Sequence, residues 1–250
     1  MTFNQAAALL PGTGSDEVFV TDVFGVPLAE TGVRLIPIRP VPGEELAGQC
    51  LAALDRAAAD GPILAGGISL GAHLAVEWAL ANPGSCVGLL LAMPGWSGPV
   101  AGPPPTQPPP AALAARASAE SVDALGVDEA LSRATQGVPE WLAAELNRAW
   151  RRAGPRLSDA LRVAAGRPAP ALAELGRLGI PVGVAGCTDD PVHPVSVARS
   201  WAAALPTAGL RLISLAELGA DRRSLGRATV QAWQEASQIH PSVDRPAGKV

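Results

Sequence analysis

The sequence predicts an α/β protein in which a mostly parallel sheet is covered on both faces by helices. Two observations carry that expectation. Through most of the 250 residues, short apolar runs bounded by turn residues alternate with helical periodicity, as strands joined by crossover helices do. One of those runs, residues 62–66, leads through Gly67-Ile68-Ser69-Leu70-Gly71 into a helical pattern, so a serine stands at the apex of a strand–turn–helix unit. A hydrophobic fraction of 48% with 17% charged residues is that of a globular chain able to bury one sizeable core.

Taken in order, residues 6–10 read as a strand, and Pro11-Gly12-Thr13-Gly14-Ser15 as a loop whose Ser15 can cap a helix beginning near Asp16. Residues 33–38 form the next expected strand. A helix over 43–59 carries Leu46, Cys50, Leu51 and Leu54. The strand 62–66 feeds the serine turn, 72–81 is its helix, and 87–92 a further strand. Then the alternation breaks, and no strand-like run occurs from Gly95 to about Arg167. This stretch starts with a proline-rich segment, 98–110, that suits neither a helix nor an inner strand. It continues as helical patterns at 111–124, 127–135, 139–153 and 155–165. In the third, Leu142, Leu146, Ala149, Trp150 and Ala153 share one face, and Glu145 and Arg148 share another at i,i+3 spacing. A single crossover rarely needs such a length, so the expectation is a helical lid inserted into the sheet domain. The alternation resumes with helix 170–178, strand 181–185, helix 194–205, strand 210–215 and helix 225–237. The expected organisation is a core from 1–95 and 168–238, a Pro-rich entry and lid at 96–167, and a polar tail at 239–250.

Charge and cysteine usage narrow the function classes. The formal net charge is −4, the single lysine is Lys249, and the arginines are scattered apart from Arg151-Arg152 and Arg222-Arg223, which disfavours nucleic-acid binding. No apolar run reaches membrane-spanning length and the first residues lack a basic leader pattern, so a cytoplasmic protein is expected. Cys50, Cys86 and Cys187 are isolated and sit in apolar or helical patterns, which predicts buried thiols rather than disulfides or metal ligands. The expected partner is a small molecule, with no metal and no cofactor.

The turn around Ser69 has the spacing that nucleophilic chemistry needs. Small residues two before and two after the serine let it take strained backbone angles without clashing with neighbouring elements. The hydroxyl is then held above the sheet, and the following N–H, that of Leu70, points at a forming oxyanion.

With these residues placed, the chain resembles the α/β-hydrolase superfamily over nearly its full length, in a small version lacking the first two antiparallel strands. The turn at Ser69 is one shared feature. A second is Leu10-Pro11-Gly12-Thr13-Gly14, where the family has its oxyanion loop; the resemblance implies that the Thr13 and Leu70 N–H groups share the oxyanion. The third is Gly186-Cys-Thr-Asp-Asp-Pro-Val-His-Pro194 after an expected strand, similar to the family's acid loop with one residue added. Anchoring on the following proline makes Asp190 the acid; anchoring on the glycine makes it Asp189. The departure from the family lies after the last strand, where its histidine is expected and Leu215-Ala-Glu-Leu-Gly-Ala-Asp-Arg-Arg223 has none.

The chain has three histidines. His73, one turn beyond Ser69, is expected to point into the packing between helix and sheet as a hydrogen-bonded core residue. His240 belongs to the expected tail, far from the strand ends. His193 lies in the acid loop, at the carboxyl end of a strand and three residues from Asp190, and reads either as a relocated general base or as a turn residue bracing the next helix. Two functions follow. One is a serine hydrolase or acyltransferase in which Ser69 attacks, His193 acts as base, Asp190 orients it, and Trp96 helps line an apolar acyl pocket roofed by residues 96–165. The other is a hydrolase-fold protein with a non-hydrolytic role, ligand binding or non-covalent catalysis, because the usual histidine is missing.

Overall fold

Six strands pair in parallel throughout, in the order β2-β1-β3-β4-β5-β6: β1 (Gln5–Leu10), β2 (Val33–Pro37), β3 (Ile63–Ile68), β4 (Cys86–Ala92), β5 (Val182–Cys187) and β6 (Ala208–Ile213). The computed structural model describes residues 5–100 and 107–239. Both faces of the sheet are covered, which is why β3 and β5 are buried at every position and read as unbroken apolar runs. On one face lie α2 (Leu46–Ala57), α3 (Leu70–Ala81) and, further along the chain, the helix Val195–Ala204. On the other lie α1 (Glu17–Glu30) and the last helix, Arg223–Ile239. The chain reverses its strand order between β1 and β3, so the loops leaving these two strands meet at the carboxyl end of the sheet.

Between β4 and β5 the chain forms the four expected helices, α4 (Pro110–Leu125), α5 (Val127–Ala134), α6 (Glu140–Ala153) and α7 (Leu157–Gly166). They bury a core of their own in which Ala119, Val122, Leu131, Trp150, Leu157 and Leu161 meet. No strand interrupts this insertion among the described residues.

Several expectations are corrected. Asp16, not Ser15, caps α1: the helix starts one residue later than the pattern suggested, and the Asp16 Oδ1 accepts the Val18 and Phe19 amides at 3.0 and 3.3 Å. The helix expected at 43–59 begins only at Leu46, and that expected at 170–178 is one turn, α8 (Leu172–Leu175). It is followed by α9 (Val195–Ala204). Strand β6 starts and ends earlier than 210–215, because Ser214 leaves the sheet to start a short helix, α10 (Leu215–Ala220), ahead of α11 (Arg223–Ile239). His240 and the rest of the expected tail, and residues 101–106 of the proline-rich segment, lie outside the described residues. The three cysteines are buried free thiols; burial pushes Cys50 and Cys86 up to about 11 and Cys187 up to about 12. Among the described residues no helix is long and apolar enough to cross a membrane.

Candidate active site

Strand β3 ends at Ile68 and α3 begins at Leu70, so the turn between them is Ser69 alone. Its backbone takes φ 54° and ψ −114°, a conformation L side chains rarely adopt. Hydrogen bonds hold it there: the Ser69 N–H donates to Ala92 O at 2.9 Å, and its carbonyl accepts from Ala72 and His73 at 3.0 and 3.2 Å. The side chain is half-buried.

The hydroxyl meets a histidine. His193 Nε2 lies 2.9 Å from Ser69 Oγ, and His193 Nδ1 lies 2.9 Å from Asp190 Oδ2. A carboxylate can only accept, so the neutral ring carries its proton on Nδ1 and presents an unprotonated Nε2 to the serine. Asp190 is itself fixed: its Oδ1 accepts the Val192 amide at 2.7 Å and the His193 amide at 3.2 Å, closing the turn that links acid and histidine. Burial works to raise the Asp190 carboxyl, but His193 and these two amides outweigh it and hold it below the usual carboxylate value. The other aspartate has separate work. Asp189 Oδ1 accepts the Leu215 amide at 2.7 Å, tying the loop to the start of α10.

The remaining expectations fall out unevenly. Thr13 sits on the loop between β1 and α1, and the neighbouring Gly12 packs against the turn, where a Cβ would lie 3.5 Å from Ser69 Cβ. Among the described residues neither the Thr13 nor the Leu70 N–H donates a backbone hydrogen bond. Trp96 is buried in a small cluster with Val100, Ala112 and Ala169, its ring edge-on to His73 at 4.7 Å. His73 is a core residue, though its surroundings are the loop after β4 and α9 rather than the sheet. Its Nε2 accepts the Gly95 amide at 3.0 Å, and Trp201 lies 5.5 Å away on its other side. Burial, with a smaller contribution from His193, lowers its pKa to about 3, so it stays neutral.

Where the family's histidine would stand, α10 carries Gly219 against Trp141 of α6; a Cβ there would meet the indole nitrogen at 2.9 Å. Trp141 also stacks on Phe19 and lies beneath the Arg222 guanidinium, 4.6 Å from the ring. At the other end of α6, Trp150 abuts Gly14. Two cavities lie away from Ser69. A cavity of about 330 Å³ lies between α4 and α7, and one of about 470 Å³ lies beside α10; neither is lined by Ser69. Sequence reasoning missed Asp16 and the partner role of Arg148, since no local pattern links two residues 132 positions apart. No group of three or more His, Cys, Asp or Glu among the described residues is placed to hold a metal.

The backbone is shared with solved structures. MenH from S. aureus is 17% identical, with TM-score 0.70 over 95% of this chain and 96% of that one. A thermophilic esterase from Thermogutta terrifontis is 17% identical, with TM-score 0.67 over 96% and 92%. The esterase RhEst1 from Rhodococcus sp. ECU1013 is 20% identical, with TM-score 0.62 over 98% and 93%. No protein-family model matches the chain, and no curated protein matches it in sequence. The fold defines the class: this is a protein of α/β-hydrolase fold with a helical insertion between β4 and β5. At these identities the likeness extends to the fold and no further.

Proposed function

We propose that the protein is a serine hydrolase or acyltransferase acting on an ester or thioester of a largely apolar acyl compound. The observation that carries this reading is the unbroken series from Ser69 Oγ through the His193 ring to Asp190 Oδ2, with 2.9 Å at each contact. In this mechanism His193 Nε2 takes the hydroxyl proton as Ser69 Oγ bonds to the substrate carbonyl carbon. Asp190 keeps the ring oriented and stabilises the imidazolium. The tetrahedral oxyanion accepts from the Leu70 and Thr13 N–H groups, which have no competing backbone acceptor. Collapse returns the proton from His193 to the leaving group and leaves an acyl-serine, which water or an acceptor alcohol, amine or thiol resolves by the same steps reversed.

The base thus comes from the acid loop, three residues from its own carboxylate. An i,i+3 pair on one Asx-type turn needs no help from β6, and this supports the idea that the series functions without a histidine after that strand. The expected result is turnover of p-nitrophenyl butyrate or a short acyl thioester, lost in Ser69→Ala. Fast turnover of a highly polar substrate with no activity on any acyl ester or thioester would turn the reading towards a non-acyl role.

A further inference from the structure

We propose that Arg148 and Trp150 of the lid are positioning residues for the oxyanion loop, so that acyl transfer runs only while α6 is seated on the loop between β1 and α1. The inference rests on the catalytic reading above and adds to it the device that holds the Thr13 side of the site in place.

The loop Pro11–Ser15 is short and fixed at each end by different means. At its start it continues β1. At its end stands Asp16, whose side chain is only 4% exposed and takes four donors: the Val18 and Phe19 amides, Arg148 Nη2 at 2.7 Å on Oδ1, and Arg148 Nε at 3.0 Å on Oδ2. A guanidinium gripping both oxygens fixes direction as well as charge. Arg148 is itself held from behind by Glu145, whose Oε1 accepts from Nη1 at 2.8 Å, so the fork is set before it reaches Asp16. Burial would push the Asp16 carboxyl up, yet Arg148 and the two amides hold it below its ordinary value. Arg152 adds an ion pair to Glu17 at 2.7 Å. The middle of the loop is braced by a different contact. Gly14 has φ +70°, and a Cβ on it would lie 2.9 Å from Trp150 Nε1, so the indole edge rests directly on the loop backbone. Ser15 N–H closes the turn onto Gly12 O at 3.2 Å, and Gly12 in turn packs on Ser69. Lid, loop and nucleophile are therefore in one line of contacts: Arg148 and Trp150 bracket the loop, and the loop touches the serine.

The physical consequence is selective. Ser69 stands on the turn between β3 and α3, and Asp190 and His193 on the loop after β5; Arg148 hydrogen-bonds to none of them. Loss of the bracket should leave them aligned and displace the Thr13 donor, whose contribution is to the transition state. The expected signature is a fall in kcat with KM little changed, which a general loss of stability would not give.

The test uses the full chain and p-nitrophenyl butyrate. Arg148→Met, which keeps the stem and removes the fork, should lower kcat by about 10²-fold with KM within about threefold, at a temperature where its circular dichroism matches the parent. Arg148→Lys should recover part of the loss, since an ammonium reaches Asp16 without gripping both oxygens. Asp16→Asn, which keeps a capping side chain, should lower kcat in the same way and add little in the Arg148→Met background. Arg133→Met, which breaks an exposed pair with Glu129 elsewhere in the lid, should leave kcat at the parent value. An active parent whose Arg148→Met and Asp16→Asn variants keep kcat within twofold would overturn this inference and leave the catalytic reading intact; if Arg148→Met does not fold, Asp16→Asn alone decides. A parent with no turnover of any ester, and no covalent labelling at Ser69, would overturn both.

Discussion

Replacing His193 with alanine is expected to lower acyl turnover by about 10³-fold or more, and to do so about as completely as Ser69→Ala. A serine hydroxyl is a poor nucleophile until a base takes its proton, and the one imidazole in contact with Ser69 Oγ among the described residues is that of His193. Members of such a unit are strongly non-additive, so the Ser69→Ala, His193→Ala double variant should be no slower than either single variant. Asp190→Asn should be damaging for a related reason. An amide in place of the carboxylate lets the ring take the other tautomer, with its proton facing the serine. Ala220→His, which puts a histidine near the family's usual position, should restore little in the His193→Ala background, because Ala220 is exposed and faces the cavity beside α10, which Ser69 does not line. Steady-state kinetics on one ester settles these comparisons. Activity of His193→Ala within about tenfold of the parent, only about 1.4 kcal/mol of transition-state stabilisation, would make His193 a brace for its loop.

The second large effect is on the serine turn itself. Gly71→Ala is expected to destabilise the fold by about 2–3 kcal/mol, against the usual gain of about 0.5–1 kcal/mol from replacing a helical glycine. A Cβ at Gly71 would lie 2.5 Å from Leu10 O and 2.7 Å from Pro11 O, both backbone atoms that no rotamer change can move. To make room, α3 must lift or β1 must bend, and the first displaces Ser69 while the second displaces the Thr13 loop. Gly25→Ala is the contrast. It lies inside α1, where the nearest atom to a new Cβ is the Thr21 methyl at 3.7 Å, so the ordinary gain should appear. Urea midpoints for the two variants should move in opposite directions, and only Gly71→Ala should lose activity as well.

The parts of this molecule that are periodic or local are legible in the sequence. Strand and helix alternation gave away the layering, because parallel strands buried on both faces are continuous apolar runs joined by helical segments. The serine turn was legible because Gly67 and Gly71 at two before and two after Ser69 state a steric requirement of the backbone. The link between Asp190 and His193 was half legible: three residues of spacing allow the contact, but a turn residue at His193 satisfies the same sequence. In the structure the Asx-type turn of Asp190 onto the Val192 and His193 amides sets the ring beside Ser69. The same is true of Asp189, which the sequence left as a rival to Asp190 and which turns out to hold the first amide of α10.

Helix α10 was missed although it carries a signal. Ser214 and Glu217 form a capping box ahead of Leu215 and Leu218, and reading it would have ended β6 at Ile213. The Asp16–Arg148 fork had no such signal, since it joins a helix cap to a lid residue far along the chain. Glu145 and Arg148 were expected to share a helix face, and they do form an ion pair, but its use as a backstop for a contact to another element is a tertiary fact. The seating of α6 is a tertiary fact of the same kind. Which side of α6 lies down on the loops after β1 and β6 is set by Gly14 and Gly219, whose missing side chains admit Trp150 and Trp141.

The central claim is that Ser69 is a nucleophile activated by a base supplied from the acid loop. Intact-mass spectrometry after incubation with a fluorophosphonate tests it most directly. The account predicts one adduct per chain, mapped to Ser69, absent from Ser69→Ala and formed far more slowly by His193→Ala. No adduct on the folded parent, or equal labelling rates for the parent and His193→Ala, would contradict it.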